Sequence, residues 1–198
     1  MRRGRLLALF IALLVATGCE YAPLPVTPTD HPGLSGSVET QAATPTETAM
    51  RSGTYTFKAA TGGTGMMEVP AAPVAEIEEL RTLVNAVPVT YLKVTVDNSQ
   101  GSVAINMHGV RITTLAGAEL KYERASVYID ALRRELPADV PAETNSRFID
   151  ISNAYNDAAQ PLTVQDFVLV GPEAPREFSG ITVYPTAGFH PVPAVPAE

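Results

Sequence analysis

The feature that most constrains the fold is the alternation of apolar and polar residues from Val89 to Asp97. In an extended chain, one face of this segment would carry Leu92, Val94 and Val96. A period of two predicts a β-strand with one buried face. The residues from 97 to 102 are mostly Asp, Asn, Ser and Gly, which favour tight turns, so a turn is expected directly after the strand.

Further short strands are predicted before and after this segment. They are expected at residues 53–58, 103–114, 119–123, 162–170 and 179–184. Within 103–114 the alternation shifts by one residue at His108–Gly109, which predicts a β-bulge. The glycine-rich residues 62–65 and the Met66–Met67 pair that follows them are expected to lie in a loop.

Three segments have apolar residues at helical spacing. The first begins at Pro73 and buries Ile77, Leu80 and Val84. The other two are predicted at 127–136, where Val127, Leu132 and Leu136 would share a face, and at 145–158, with Phe148, Ile151 and Tyr155. Few helices among many short strands favour a mainly β fold, and specifically a β-sandwich.

The beginning of the chain has the organisation of a secretory signal peptide. Arg2, Arg3 and Arg5 precede the uninterrupted apolar run 6–16, and Thr17 and Gly18 are small residues. The run is too short to cross about 30 Å of hydrocarbon comfortably as a helix. Residues 1–18 are therefore predicted to be removed on export.

The residues Ala16-Thr17-Gly18-Cys19 resemble a bacterial lipobox. The resemblance implies cleavage before Cys19 and attachment of a diacylglyceryl group, with fatty acyl chains such as palmitate, to its sulfur. Two acyl chains anchor a protein stably, whereas one binds only marginally. The alternatives are an ordinary secretory signal with an incidental cysteine, or an uncleaved anchor. The lipobox predicts attachment to the extracytoplasmic face of the cell membrane.

Two regions rich in proline flank the predicted domain at 53–185. Residues 19–52 combine proline with threonine and contain few bulky apolar side chains, so a disordered linker is expected there. Residues 186–198 contain Pro191, Pro193 and Pro196 and are expected to form a tail without regular structure.

The segments 89–123 and 165–185 resemble the opening and closing strands of immunoglobulin-like domains on bacterial lipoproteins. Those domains often have an apolar strand that ends in a V-x-N turn, as at Val96-Asp97-Asn98, and later a G-x-x-L hairpin, as at 117–120. The resemblance implies an immunoglobulin-like β-sandwich, in a family largely of unknown function. The segment 127–157, with its helical spacing, departs from the plainest members.

Candidate chemical sites are few. Met66, Met67, Met107, His108 and His190 could suggest a copper site, because thioethers and imidazoles suit Cu(I). Packing of Met107 in the core and a bulge at His108 explain the same residues, so no metal is expected. The glycines at 62–65 lack the Lys-Ser/Thr of a phosphate loop, and Ser179 lacks the preceding glycine of a nucleophile elbow. No cofactor and no catalytic residue are predicted.

The net charge of −7 would become −10 after loss of the three signal-peptide arginines, which argues against a nucleic-acid partner. Glu76, Glu78 and Glu79 are read as a solvated helix face, with a docking surface for a basic partner as the alternative. The sequence therefore predicts a non-catalytic, membrane-anchored interaction module with a protein partner at the cell surface. A small-ligand or metal-binding accessory lipoprotein is the alternative.

Overall fold

A computed structural model describes residues 49–186 and 190–198. The predicted signal peptide, Cys19 and the linker up to residue 48 lie outside the described residues. Within them, the strands are β1 (Met50–Arg51), β2 (Gly53–Lys58), β3 (Thr64–Ala71), β4 (Thr90–Asp97), β5 (Gly109–Thr114), β6 (Glu119–Arg124), β7 (Val164–Gly171), β8 (Glu177–Tyr184), β9 (Val192–Pro193) and β10 (Val195–Pro196). The helices are α1 (Ala75–Leu83), α2 (Ala125–Arg134) and α3 (Ala142–Ala154).

All the strand pairs are antiparallel, and they form one sheet with the order β1-β8-β5-β6-β7-β4-β3-β2-β10. Strands β4 to β7 lie in the order β5-β6-β7-β4, which is a Greek-key arrangement. Strand β6 joins two halves of the sheet, since its first residues pair with β5 and Glu123 and Arg124 pair with β7. The predicted mainly β class is confirmed.

The C-terminal residues nearly close this sheet into a barrel-like form. Strand β9 pairs with β8, and β10 pairs with β2 at the other end of the strand order. Ala194, between the two short strands, is buried. The expectation of a tail without regular structure is therefore wrong for residues 192–196, because these residues supply backbone hydrogen-bond partners to β2 and to the part of β8 around Thr182 and Val183.

The main core lies between the inward faces of the strands. Inward side chains alternate along the strands, as Tyr55 and Phe57 do on β2 and Ile181 and Val183 do on β8. Phe178 also faces inward on β8, beyond a shift in the register with β5. A second core lies outside the sheet, where the three helices cover part of β4 and β7. Its members include Ile77, Leu80, Tyr91, Ile129, Phe148 and Val170.

Five predicted strands are confirmed as β2, β4, β6, β7 and β8. Their ends differ from the predicted bounds by at most two residues. The predicted turn is also confirmed, because Gly101 N–H donates to the carbonyl of Asn98 at 3.0 Å. The predicted strand at 103–114 is wrong in its first half, since β5 begins only at Gly109. Met107 has a φ of 46°, which lies in the left-handed region outside regular strand geometry. The predicted β-bulge at His108–Gly109 is therefore wrong, because the strand begins at Gly109.

The expectation of a loop at Gly65 to Met67 is wrong, because these residues lie in β3 between β2 and β4. Gly65 faces inward, and a Cβ there would lie 2.2 Å from the ring of Phe57. Glycine is thus required by the close approach of that ring, and no turn is needed to explain it.

The three predicted helices form, with shifted bounds. Helix α1 begins at Ala75 after Val74, so Pro73 precedes it, and α3 covers 142–154 in place of 145–158. Val127 on α2 is 45% exposed, so it does not share the buried face with Leu132. Among the described residues, no helix is long and apolar enough to cross a membrane.

Candidate functional site

The outer face of β2, β3 and β4 carries exposed side chains at alternate positions of three neighbouring strands. The helices cover only the β4–β7 part of the sheet around Tyr91 and Val170, and they leave this area uncovered. We call it the open face. Its outward side chains are Thr54, Thr56, Thr64, Met66, Glu68, Lys93, Thr95 and Asp97.

Strand register arranges the open face in transverse rows. The central row runs from Thr56 through Met66 and Thr95 to Asp166 on β7. Directly opposed side chains on antiparallel strands have Cβ atoms about 4.5–5.5 Å apart. Each residue in the row therefore lies beside its neighbours, although they are far apart in the sequence.

Met66 is the large apolar side chain at the centre of this row, and it is 53% exposed. Two shallow concavities, of about 510 and 550 Å³, lie on the open face and share Met66 and Thr95 as lining residues. The second extends to Val195 on β10, which is also exposed. A hydroxyl-rich surface thus carries an apolar side chain between two depressions that are open to solvent.

Charged groups lie at one end of the central row and beside it. Lys93 Nζ lies 3.1 Å from Asp166 Oδ2, and Thr95 Oγ1 donates to Asp166 Oδ1 at 2.6 Å. The hydrogen bond from Thr95, with a smaller effect of Lys93, holds the pKa of Asp166 below its ordinary value. Hydrogen bonds from Ser99 likewise lower the pKa of Asp97. Both carboxylates are therefore ionised at neutral pH.

The structure does not bring the sulfur and imidazole groups of the copper hypothesis together. Met66 and Met67 are consecutive on β3, so their side chains lie on opposite faces of the sheet. Met67 and Met107 are fully buried in the main core, and His108 is exposed just before β5. Among residues 49–186 and 190–198, no group of three or more His, Cys, Asp or Glu side chains is placed to hold a metal ion.

The acidic residues of α1 contact other parts of the same domain. Glu79 binds Arg147 of α3, and Glu76 accepts a hydrogen bond from Tyr155. Glu78 accepts hydrogen bonds from Arg81 and, at 2.8 Å, from the buried Tyr91 on β4. These carboxylates hold α1 against α3 and the sheet, which favours a structural role for them over docking of a basic partner.

A smaller concavity of about 250 Å³ lies on the other half of the sheet, and sequence reasoning missed it. It forms over Gly109, which lies opposite Tyr184 on β8 and lacks a side chain. Arg111 stacks on the ring of Tyr184 at 4.7 Å and binds Glu119 at 2.9 Å. Strand register alone would have placed these residues together, but the register required knowledge of which strands pair.

Ser179, considered in the sequence as a nucleophile, has a structural role. Its Oγ lies 3.2 Å from the carbonyl oxygen of Thr113 and 3.1 Å from that of Thr114, and its single proton is shared between these two acceptors. The register between β5 and β8 shifts at these two residues, so the hydroxyl supplies hydrogen bonds at an irregular point of the ladder.

Cys19, the predicted lipidation site, lies outside the described residues. Comparisons of the chain with protein-family models, characterised proteins and solved structures gave no match. Function is therefore inferred from the residues of this chain and their geometry.

Proposed function

We propose that this chain is a lipoprotein anchored through Cys19 to the extracytoplasmic face of the cell membrane, and that its β domain is a non-catalytic binding module. The lipobox-like residues before Cys19 support the anchor. The binding surface is the open face, and its partner is another macromolecule, most simply a protein at the cell surface.

The exposure of Met66 is the observation that carries the proposed binding surface. Methionine is enriched in the cores of protein interfaces, and its flexible thioether adapts to varied partners. Here it lies on regular secondary structure, flanked by threonine hydroxyls and bordered by charges of both signs. An apolar centre with a polar surround is the usual organisation of a protein-binding patch.

The alternative of a small-ligand or metal-binding accessory protein fits these residues less well. A small-molecule site is usually a concave, mainly apolar pocket with a few convergent polar groups. The depressions beside Met66 are open to solvent, and Met66 and Thr95 line both of them. This arrangement suits a broad contact surface better than a pocket for a small molecule. The separation of Met66 from Met67 by the sheet weakens the metal alternative.

The immunoglobulin-like sandwich belongs to the same proposal. The Greek-key order of β4 to β7 and the division of the strands into two halves at β6 support it. The near-closure of the sheet by β9 and β10 is an addition to the plain sandwich. Domains of this kind on tethers commonly present one surface to partners, although a fold alone does not assign a function.

The test is cross-linking in native membranes. The tagged full-length chain, Cys19→Ser and Met66→Lys would be expressed in parallel, with Val127→Lys as the control, because Val127 is similarly exposed but lies on α2. We expect a specific cross-linked partner with the wild type and the control, and at least about a tenfold loss with Met66→Lys. Cys19→Ser should leave the membrane fraction.

Two results would overturn the proposal. If Cys19→Ser stays in the membrane fraction with unchanged migration, the anchor is wrong. If Met66→Lys recovers the same partner as the wild type, the open face is not the binding surface. Recovery of no macromolecule with any variant, together with stabilisation of the protein by a small ligand or a metal ion, would favour the accessory lipoprotein.

A further inference from the structure

We propose that Met66 is a site of reversible oxidation to methionine sulfoxide, and that this modification switches off binding at the open face. The oxidation site is inferred from geometry alone. The effect on binding rests on the proposed function, because it assumes that the open face binds a partner.

The described methionines differ sharply in their access to solvent. Met66 is 53% exposed, whereas Met67 and Met107 are fully buried. Met50, on β1, is partly buried against the main core. Susceptibility to oxidation follows exposure of the sulfur, so Met66 is expected to react first.

The strand environment leaves the sulfur of Met66 accessible. Its cross-strand neighbours are Thr56 and Thr95, two residues with short side chains. Neither neighbour carries an aromatic ring or a long chain that would cover a thioether. Met67, the next residue, faces the core beneath the same strand and provides an internal reference of identical chemistry.

The reaction requires a peroxide, either hydrogen peroxide or an organic hydroperoxide. The sulfur of Met66 attacks one peroxide oxygen and forms the S–O bond while the O–O bond breaks. The other oxygen takes up the proton of the attacked oxygen. It leaves as water when the oxidant is hydrogen peroxide and as an alcohol when it is an organic hydroperoxide. Sulfur loses two electrons and the peroxide gains them, and methionine sulfoxide reductases reverse the change.

Oxidation would make the apolar centre of the open face polar. A sulfoxide is polar and accepts hydrogen bonds, whereas the thioether is apolar and flexible. A partner that buries Met66 would then bury an additional polar oxygen, which is unfavourable unless the partner offers a donor. The same peroxide would leave the core unchanged, because Met67 and Met107 are protected there.

The test begins with the full-length chain treated with dilute hydrogen peroxide. Digestion and mass spectrometry with fragment-ion assignment would follow a gain of one oxygen at each methionine over time. We expect Met66 to react at least about ten times faster than Met67 and Met107. Met66→Leu should lose the fast phase and Met67→Leu should keep it. Equal rates for Met66 and Met67 would overturn the proposed site.

The second arm repeats the cross-linking with oxidised protein. Each protein is compared with its own untreated sample. Peroxide should lower recovery of the partner at least about fivefold for the wild type, and methionine sulfoxide reductases should restore it. The ratio of treated to untreated recovery should be close to one for Met66→Leu, whatever its recovery before treatment. If oxidation is selective but partner recovery is unchanged, the switch is wrong. If oxidation is selective and no variant recovers a partner, the proposed function fails while the oxidation site stands.

Discussion

Asn98 shows how one buried polar side chain organises the loops at one end of the sheet. It is fully buried, and its Nδ2 donates to the carbonyl oxygens of Val103 and Ala159, at 3.0 and 2.8 Å. Its backbone N–H donates to Thr163, and its carbonyl accepts from Leu162. The residues after β4 are thereby tied to the residues before β7.

The space around Asn98 is made by glycines from two loops. A Cβ on Gly101 would lie 1.7 Å from Asn98 Oδ1, and one on Gly63 would lie 2.9 Å from it. Among the described residues, none donates a hydrogen bond to Oδ1. The amide is therefore held by its two donated hydrogen bonds and by close packing against glycine backbone.

Asn98→Ala should lower the free energy of unfolding by about 1–3 kcal/mol, because buried backbone oxygens lose their donor. Asn98→Asp should lower it further at pH 7, since a carboxylate would face two carbonyl oxygens in place of the amide protons. Urea unfolding followed by circular dichroism measures both. Gln100→Ala, at an exposed position of the same turn, is the matched control. An Asn98→Ala protein as stable as this control would contradict the role assigned to the side chain.

The turn at Asn98 could be predicted from the sequence, but its burial could not. Asp, Asn, Ser and Gly in succession favour a turn, and turns usually lie at the surface. One hydrogen-bond partner of the buried side chain is the carbonyl oxygen of Ala159, 61 residues later in the chain. The exposure of Met66 was hidden for the same reason, because it depends on which strands flank β3.

At the scale of the elements, helix α1 is joined to the domain by apolar contacts and by its carboxylates. Ile77 and Leu80 are fully buried in the second core. Glu78 links the helix to Tyr91 on β4, and Arg81 lies between Glu78 and the carbonyl oxygen of Ala86. The charged residues near the start of α1 thus fix its orientation on the sheet, while the apolar face supplies most of the stabilisation.

The ionisation of Glu78 makes this attachment dependent on pH. The hydrogen bond from Arg81, more than that from Tyr91, holds the pKa of Glu78 below its ordinary value, against the opposing effect of burial. The stabilisation is therefore complete above the unfolded pKa of about 4.3 and is lost as the pH falls through the lower folded value.

Glu78→Gln should lower the free energy of unfolding by roughly 1 kcal/mol at pH 7, and the difference from the wild type should shrink as the pH falls below about 4.3 and the wild-type carboxylate takes up a proton. Denaturant unfolding at several pH values gives the comparison. Glu173→Gln, in the exposed loop between β7 and β8, is the control and should have little effect on stability at pH 7. A constant difference between Glu78→Gln and the wild type from pH 7 to pH 3 would rule out the linkage.

The elements differ in how far local sequence determines them. Strand β4 is predictable because its inward residues are large and its outward residues are polar. Strand β3 was missed because Gly65 occupies an inward position, where the ring of Phe57 takes the space of a side chain. Strand β5 was predicted too long because Ile105 and Met107 are buried but lie in irregular chain, where Ile105 makes an isolated bridge to Ala159. In β4, the alternation of apolar and polar residue types matches the alternation of buried and exposed positions. In β3 and in the residues before β5, residue type alone does not indicate where the strand lies.

At the scale of the whole described body, the closure of the sheet depends on two short segments. One is Met50–Arg51, which forms β1, and the other is 192–196, which contains β9 and β10. Strand β1 covers the β8 edge at Glu177 and Phe178, and β9 covers the same edge at Thr182 and Val183. Strand β10 covers β2. Proline is frequent in 191–196 because edge strands tolerate the loss of backbone donors, so the same residues that suggested a disordered tail are compatible with an edge. Composition could not separate these two outcomes, since the distinction lies in the partners.

Ala194 provides the test of this closure, because its neighbour Val195 faces the opposite way. Ala194 is 4% exposed and its N–H donates to the carbonyl of Ile181, whereas Val195 is 55% exposed. Ala194→Asp would bury a carboxylate in the main core and should lower the free energy of unfolding by about 1–3 kcal/mol or more, while Val195→Asp should change it by less than about 0.5 kcal/mol. Amide hydrogen exchange should also rise on β2 and β8 in Ala194→Asp before the rest of the sheet is affected, since both strands then lose an edge partner. If the two aspartate variants have equal stability, the C-terminal segment is not required for closure of the sheet. The two sides of the sheet at β8 and β2 would then be held together by β1 and the main core alone.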